Sequence, residues 1–518
     1  MLALTYPPKR PRTEPRPDSL DLGQRSLTAV FWGGGGSVLR ITLQVLTQIA
    51  LARMLGPAEY GLFAIGAIVI GLSSFFSDVG IAYSLIQKPQ VTPQDLRFVF
   101  TWQLVLGLLV TALVAGLSGP IALFFGDAQA QGIVAALAVL CLVNALAAPA
   151  HNMLKRALDV RRIQLAHLLG YFAGFVGVGI PLALAGANAW ALVAAWLVQA
   201  TSTLAILYAG VRHPLQPLLW FSGARQIVRY GGTVLLTNVT NWLIGNIERV
   251  VIARIFATRE VGLYATAYNL LFSPVTALVG IVQPVFFSAG ARISAQQQRI
   301  AHTHLGLTAL VTLLVLPVFA SVAAIAPTFV LALYGAPWAA AAELVAPLAL
   351  AMPLYLLWGL STPLLWLAGA PQLEFRMQLP LALLWLAVAW LAAHHSVAAV
   401  AWAVVPMFAL RYALILRAAA KLLPMPPADL WRALRGGLLL ALLTAGFVRL
   451  ADAWLLARGL DAAWRLAADV AAGGALYALL LHLLPGLLPA ECHDLLARLA
   501  ARCPRPLARW LARLQRAE

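Results

Sequence analysis

Three sets of polar residues stand inside long apolar runs, where polarity is costly and therefore informative. Ser37, Arg40, Gln44 and Gln48 recur at three- to four-residue spacing, which places them on one face of a helix. About 200 residues later, Asn238, Asn241, Gly245 and Glu248 form a second stripe, with Arg249 beside it. Ser74, Ser77 and Asp78 make a third. A charge at the middle of a bilayer costs roughly 2.5 kcal/mol or more unless it meets a partner or a wet cavity. The chemistry such stripes can perform is binding in a hydrophilic cleft. Arg40, Gln44, Gln48 and Asn241 are the candidates to hold a solute, and Asp78 and Glu248 are the candidates for proton or sodium coupling. The alternative is hydrogen bonding between packed helices, and an Arg40–Asp78 pair is its plainest form.

Bond-making chemistry has no comparable foothold. There is no Walker lysine, no H-E-x-x-H and no G-x-S-x-G. Gly33-Gly34-Gly35-Gly36 is not followed by a phosphate-loop lysine and reads as a flexible or closely packed entry to the first span. The loops are too short for the carboxylate or histidine clusters of a membrane glycosyltransferase, polymerase or ligase. Cys141, Cys492 and Cys503 are too few and too scattered for a disulfide framework or a metal site. No cofactor and no metal are expected. Tyr264, Tyr268, Tyr355, Trp358 and Trp366 read as helix-packing or membrane-belt residues, or as rings against which sugars could stack.

The elements that position these residues follow from composition. The 518 residues are 62% hydrophobic and 11% charged, against roughly a quarter charged in soluble domains. The expectation is an all-α polytopic membrane protein of about fourteen spans. Their approximate limits are 27–52, 61–87, 97–125, 131–154, 163–186, 189–211, 226–254, 260–290, 302–334, 338–369, 374–393, 396–418, 433–457 and 464–489. With the N-terminus placed in the cytoplasm, 27 of the 36 Lys and Arg fall on the inner side, five on the outer side and four within the membrane. That asymmetry agrees with the positive-inside rule and places both termini in the cytoplasm. It also accounts for the net charge of +17 without nucleic acid.

One phrase occurs twice. Ala52-Arg53-Met54-Leu55-Gly56-Pro57-Ala58-Glu59-Tyr60-Gly61-Leu62-Phe63-Ala64 returns as Ala253-Arg254-Ile255-Phe256-Ala257-Thr258-Arg259-Glu260-Val261-Gly262-Leu263-Tyr264-Ala265, an offset of 201. The copies follow the first and seventh spans. An even number of crossings separates them, so the halves point the same way, as in a parallel repeat. The expected organisation is a basic disordered tail (1–26), an N-lobe of six spans (27–211), a cytoplasmic linker (212–225) and a C-lobe of six spans (226–420). An extra pair (421–489) and a basic tail (490–518) follow. In that tail Arg505, Arg509, Arg513 and Arg516 face away from Leu507, Trp510, Leu511 and Leu514, as in a helix lying on the anionic leaflet. Glu59 and Glu260 read as loop-fixing acids at helix starts.

The stretch 52–63 resembles the A-R-x-L-G-P-x-x-Y-G signature of Wzx-like lipid-linked oligosaccharide flippases, the polysaccharide-export branch of the multidrug/oligosaccharidyl-lipid/polysaccharide (MOP) exporter superfamily. Asp78-Val79-Gly80-Ile81-Ala82-Tyr83-Ser84-Leu85-Ile86-Gln87 is similar to the D-x-G-x-x-x-x-L-I-Q segment that follows in that branch. The resemblance implies a transporter rather than an enzyme, resident in a bacterial inner membrane. Such a protein turns an undecaprenyl-pyrophosphate-linked glycan from the cytoplasmic to the periplasmic leaflet by alternating access. Its implied partners are that glycan, membrane lipids, a coupling proton or sodium ion, and polysaccharide polymerase machinery. It also implies that cavity cations meet the diphosphate. Arg40 is the match for that role, with Arg53 and Arg254 at the outer mouth, and the last two spans would form a groove for the lipid tail. A drug or organic-cation antiporter of the same superfamily, for which Asp78 would be the acid, is the main alternative, and a membrane enzyme of glycan assembly is a further one.

Overall fold

The computed structural model describes residues 19–88, 90–211, 214, 216–291 and 296–483. The first eighteen residues and the whole C-terminal tail, with its expected surface helix and with Cys492 and Cys503, lie outside the described residues. Secondary structure among the described residues is helical throughout. The chain begins with α1 (Ser19–Asp78), which starts inside the segment read as tail, then α2 (Ser84–Gln87), α3 (Pro93–Gly116), α4 (Ser118–Phe125), α5 (Ala130–Leu137) and α6 (Val139–Arg156). The N-lobe ends with α7 (Val160–Tyr171), α8 (Ile180–Leu184) and α9 (Ala189–Gly210). The second half comprises α10 (Ala224–Ile255), α11 (Thr258–Ala291), α12 (Gln297–Leu314), α13 (Leu316–Ala324), α14 (Ala326–Tyr334), α15 (Ala342–Leu367), α16 (Pro371–Ala393) and α17 (Val397–Ala419). The last pair is α18 (Pro427–Ala457) and α19 (Ala462–Leu483).

Twelve helical segments among the described residues are long and apolar enough to cross a membrane. That number takes Leu39–Asp78 as one segment, although Gly56 (φ 78°, ψ 174°) breaks α1 into two legs. It leaves out α10, whose charged and amide residues dilute its apolar face. Counting both legs and α10 restores the fourteen segments read from the sequence. This is an all-α, multi-pass membrane protein.

The duplication is visible in the local structure. The first copy of the repeated phrase breaks at Gly56, with a positive φ that glycine adopts without steric cost. The second has Ala257 there and turns instead through an extended Phe256 (φ −104°, ψ 161°). The third span of each lobe is also interrupted before its C-terminal end. Leu117 separates α3 from α4, and Ile325 separates α13 from α14, with Pro120 and Pro327 just inside the following helices. The linker docks on α3. Arg97 Nε donates to the Gln216 carbonyl (3.1 Å), Trp102 Nε1 to that of Leu219 (3.0 Å), and the Leu218 N–H to Thr101 Oγ1 (2.9 Å).

The lobes meet chiefly where α1 crosses α11, and the contact is reciprocal. A Cβ on Gly61 would lie 1.8 Å from the Thr258 carbonyl oxygen, and a Cβ on Gly262 would lie 1.8 Å from that of Pro57. Pro57 and Thr258 are themselves 201 residues apart, so the two copies clasp each other about a pseudo-twofold axis. At the other end of α1, the Val79–Gly80 turn abuts Gly231 and Val234 of α10. The lobes therefore touch on both sides of the space between them.

Candidate functional site

Between these two contacts lies a chamber of 390 Å³ lined by both lobes. The N-lobe presents Gln44 and Gln48 from the first leg of α1, Tyr60 from the second, and Tyr171 from α7; the C-lobe presents Asn246 and Arg249 from α10 and Asn269 from α11. Gln48 Nε2 donates across the chamber to the Thr266 carbonyl (3.3 Å). Asn246 Oδ1 accepts from Arg249 Nη1 (3.3 Å). The guanidinium of Arg249 sits 4.0 Å from the centre of the Tyr268 ring, and its buried Nε has no acceptor. A cation held by an aromatic face and an amide, with a donor to spare, is suited to a phosphate or carboxylate oxygen.

The walls obey the repeat. Shifting by 201 residues pairs Gln48 with Arg249, Leu51 with Ile252, Tyr60 with Val261, Phe63 with Tyr264, Ala64 with Ala265 and Ile68 with Asn269, and every member of these pairs lines the chamber. Arg249 was passed over as a binding residue because it stands one position off the Asn238–Glu248 stripe. The signal that finds it is the repeat register, which equates it with Gln48.

The remaining sequence candidates lie elsewhere. Arg40 is half-buried on α1, two turns before Gln48, with an unpartnered Nε, and does not line the chamber. Its repeat equivalent, Asn241, is exposed and also off the wall. The ion pairs among the described residues do not include Arg40 with Asp78; instead Asp78 accepts from Gln103 Nε2. Glu248 is 3% exposed and turned into the C-lobe, where its carboxylate accepts from Trp385 Nε1 (3.1 Å). Its equivalent Thr47 is likewise buried.

Arg53 and Arg254 belong to the seam between the lobes. Arg53 Nε donates to the Leu333 carbonyl (2.6 Å) and its Nη2 to that of Ala332. Beside it, Trp338 Nε1 donates to the Ala52 carbonyl (2.9 Å) and stacks edge-on against Tyr60 at 5.6 Å. Arg254 instead lies 5.3 Å from the Phe124 ring, while Thr258 Oγ1 donates to Asp127. Each lobe thus sends the C-terminal end of its third span and the loop that follows onto the other lobe's copy of the signature. Glu59 Oε2 accepts from the Ala189 N–H (2.8 Å) and caps α9, whereas the buried Oε2 of Glu260 has no partner.

Asp78 lines a second cavity, of 280 Å³ and wholly within the N-lobe, with Asn144, His151, Lys155, His167 and Gln199. The imidazoles of His151 and His167 are 5.6 Å apart, and Arg40 is close enough to act on His167 electrostatically. Among the described residues no cluster of His, Cys, Asp and Glu has the makings of a metal site.

The chain is thus an all-α bundle of two lobes closed around a polar chamber. Residues 50–343 match the family model described as polysaccharide biosynthesis protein, and the chain belongs to that family. It is 24% identical over 326 residues to the lipopolysaccharide biosynthesis protein WzxC of Escherichia coli (62% of this chain, 65% of that protein). Against the succinoglycan biosynthesis transport protein ExoT of Rhizobium meliloti it is 24% identical over 320 residues (61% and 65%). It thus spans 65% of the length of each of these curated relatives. Among solved structures it is similar to the lipid II flippase MurJ in an inward closed conformation, with a TM-score of 0.69 at 11% identity over 89% of this chain and 98% of that one. An inward-facing multidrug resistance transporter of the MOP superfamily gives 0.56 at 15% identity, over 74% and 95%. These likenesses establish the fold.

Proposed function

We propose that this protein is a flippase for a lipid-linked oligosaccharide, carrying an undecaprenyl-pyrophosphate glycan from the cytoplasmic to the periplasmic leaflet for surface polysaccharide synthesis. The observation that carries this reading is the inter-lobe chamber itself, cationic on one wall and sealed on one side by a reciprocal clasp of small residues. Arg249 would engage the diphosphate through paired hydrogen bonds, and the amides and hydroxyls around it would replace water on the sugars. Lys155 in the N-lobe cavity, with Asn144, Gln199 and the imidazoles of His151 and His167 around it, would offer the head group a second polar station with one cation. The names and roles of WzxC, ExoT and MurJ support the substrate class.

Opening would part the Gly61–Thr258 and Gly262–Pro57 contacts while the Val79–Gly80 turn stays against α10, exposing the chamber to the opposite side. The protein would lower a barrier without making or breaking a covalent bond. Charge asymmetry supports a bacterial inner-membrane setting with both termini in the cytoplasm and the clasp facing the periplasm. Asp78, which lines the N-lobe cavity with Lys155, is the better placed of the two coupling candidates, because Glu248 is turned into the C-lobe against Trp385. Gln44 and Gln48 would contact the solute directly, and Asn241 would not.

The test is to deplete the protein in cells without a paralogue and follow which leaflet holds the lipid-linked glycan. The glycan is expected to accumulate on the cytoplasmic side, and complementation by Arg249→Glu is expected to fail. Arrival of the glycan in the periplasm at a normal rate without the protein would overturn the reading.

A further inference from the structure

A second group of buried charges lies far from the chamber, in the C-terminal helix pair. Asp452 of α18 is 3% exposed; its Oδ1 accepts from Thr328 Oγ1 of α14 (2.7 Å) and from Arg465 Nη1 of α19 (3.2 Å). One turn along α19 from Arg465 stands Asp469, 1% exposed, and neither of its carboxylate oxygens receives a hydrogen bond. The Asp452 carboxylate is close enough to act on it as a like charge. Asp469 also lines a groove of 270 Å³ between α13, α14, α18 and α19.

The charges do not balance. One arginine faces two carboxylates, and the rest of the groove wall adds no compensating cation: α13 contributes Ser321 and Val322, α14 Phe329, α18 Val448, and α19 Gly473 and Tyr477. An uncompensated charge buried among apolar helices costs several kcal/mol, and such groups shed it by taking up a proton. A metal cation is a poor alternative. Hard cations take about six oxygen ligands, whereas the groove wall offers only the Asp469 carboxylate and the side-chain hydroxyls of Ser321, Thr444 and Tyr477. Thr444 Oγ1 donates to the Leu440 carbonyl (2.6 Å), and the Tyr477 hydroxyl donates to that of Leu313 (3.0 Å).

We propose that Asp469 is a proton-binding site of the C-terminal helix pair, its carboxyl proton directed at Asp452 and exchanged with water entering through the groove. The proton passes from water onto a carboxylate oxygen of Asp469, and no other bond changes. Thr328 and Arg465 both donate to Asp452. An apolar chain seated in the groove would expel that water and favour the neutral acid, so groove occupancy and proton binding are linked. This inference does not depend on what the inter-lobe chamber carries.

Infrared difference spectra of the full chain in lipid nanodiscs, recorded against pH, test it. The wild type minus Asp469→Asn is expected to contain one protonated-carboxyl stretch that titrates with pH and shifts in heavy water. Asp452→Asn should keep that band at a changed frequency, and Asp469→Glu should restore a titrating band, which separates loss of the site from loss of the fold. Identical carboxyl bands in the wild type and Asp469→Asn would overturn the proposal. So would a band that responds to sodium concentration rather than to pH, which would assign the site to a metal cation.

Discussion

The two copies of the repeated signature share six identical residues yet hold the molecule together differently. In the N-lobe copy, Arg53 caps the end of α14 through two carbonyls, Ala52 accepts from Trp338, and Glu59 caps α9. In the C-lobe copy, Arg254 rests on an aromatic ring and Glu260 leaves a buried oxygen unpartnered. Only the glycine contacts are the same on both sides. Backbone proximity is what the duplication has kept, and side-chain chemistry is what it has released. The chamber shows the same division, because Gln48 and Arg249 occupy one register and only the second is charged. The structural copy is the N-lobe's; the electrostatic one is the C-lobe's.

The largest effects should come from the shared feature. Gly61→Ala and Gly262→Ala each force a methyl group into a backbone oxygen, and overpacking of this kind costs about 1–3 kcal/mol even where side chains can yield. Both are expected to abolish glycan export equally and to raise thiol accessibility of cysteines placed at the seam. Gly245→Ala, with nothing within 4 Å, serves as the silent control. Unequal losses for the two seam variants would break the symmetry argument.

The chamber should show a strong but one-sided effect. A hydrogen bond to a charged group contributes about 1.5–3 kcal/mol, or roughly ten- to a hundredfold, so Arg249→Gln is expected to slow export by that factor. If the register is interchangeable, adding Gln48→Arg to Arg249→Gln should recover part of the rate in a leaflet-resolved export assay. No recovery would mean that the cation must stand over Tyr268.

A smaller contrast concerns the arginines at the seam. Arg53→Ala is expected to lower the melting temperature in detergent by several degrees, and Arg254→Ala by less, because a ring contact replaces two carbonyl caps. Equal shifts would remove the asymmetry. Smallest of all is the glutamate pair. Glu59→Gln should weaken the α9 cap by about 0.5–1 kcal/mol, whereas Glu260→Gln should leave stability unchanged or raise it, read in the same melting experiment.

Much of the fold was legible because the bilayer demands it. Fourteen apolar runs and two copies of one phrase define the lobes before any coordinate is known. The site was legible only in part, and the reason lies in periodicity. Arg40, Gln44 and Gln48 share a face on a straight helix, yet only the two nearer the Gly56 break line the chamber, because the lobes converge there. Glu248 and Arg249 are adjacent in sequence and face opposite ways, and no spacing rule says which one meets water. The repeat supplies that answer, since Thr47 and Glu248 are both buried in their lobes while Gln48 and Arg249 are both on the wall. Asp469 escaped notice for a different reason. Its solitude depends on how Arg465 divides its donors, which is a three-dimensional fact.

The clasp between Gly61 and Gly262 has a consequence beyond gating. It is an isologous surface of the kind found in homodimers, here folded into one polypeptide. In a homodimer a single substitution at such a patch strikes both faces at once. In this chain each glycine is encoded separately, so a substitution strikes one half of the contact and leaves the other chemically intact. Co-inheritance of the pair is therefore the signature that this seam should leave across homologous chains.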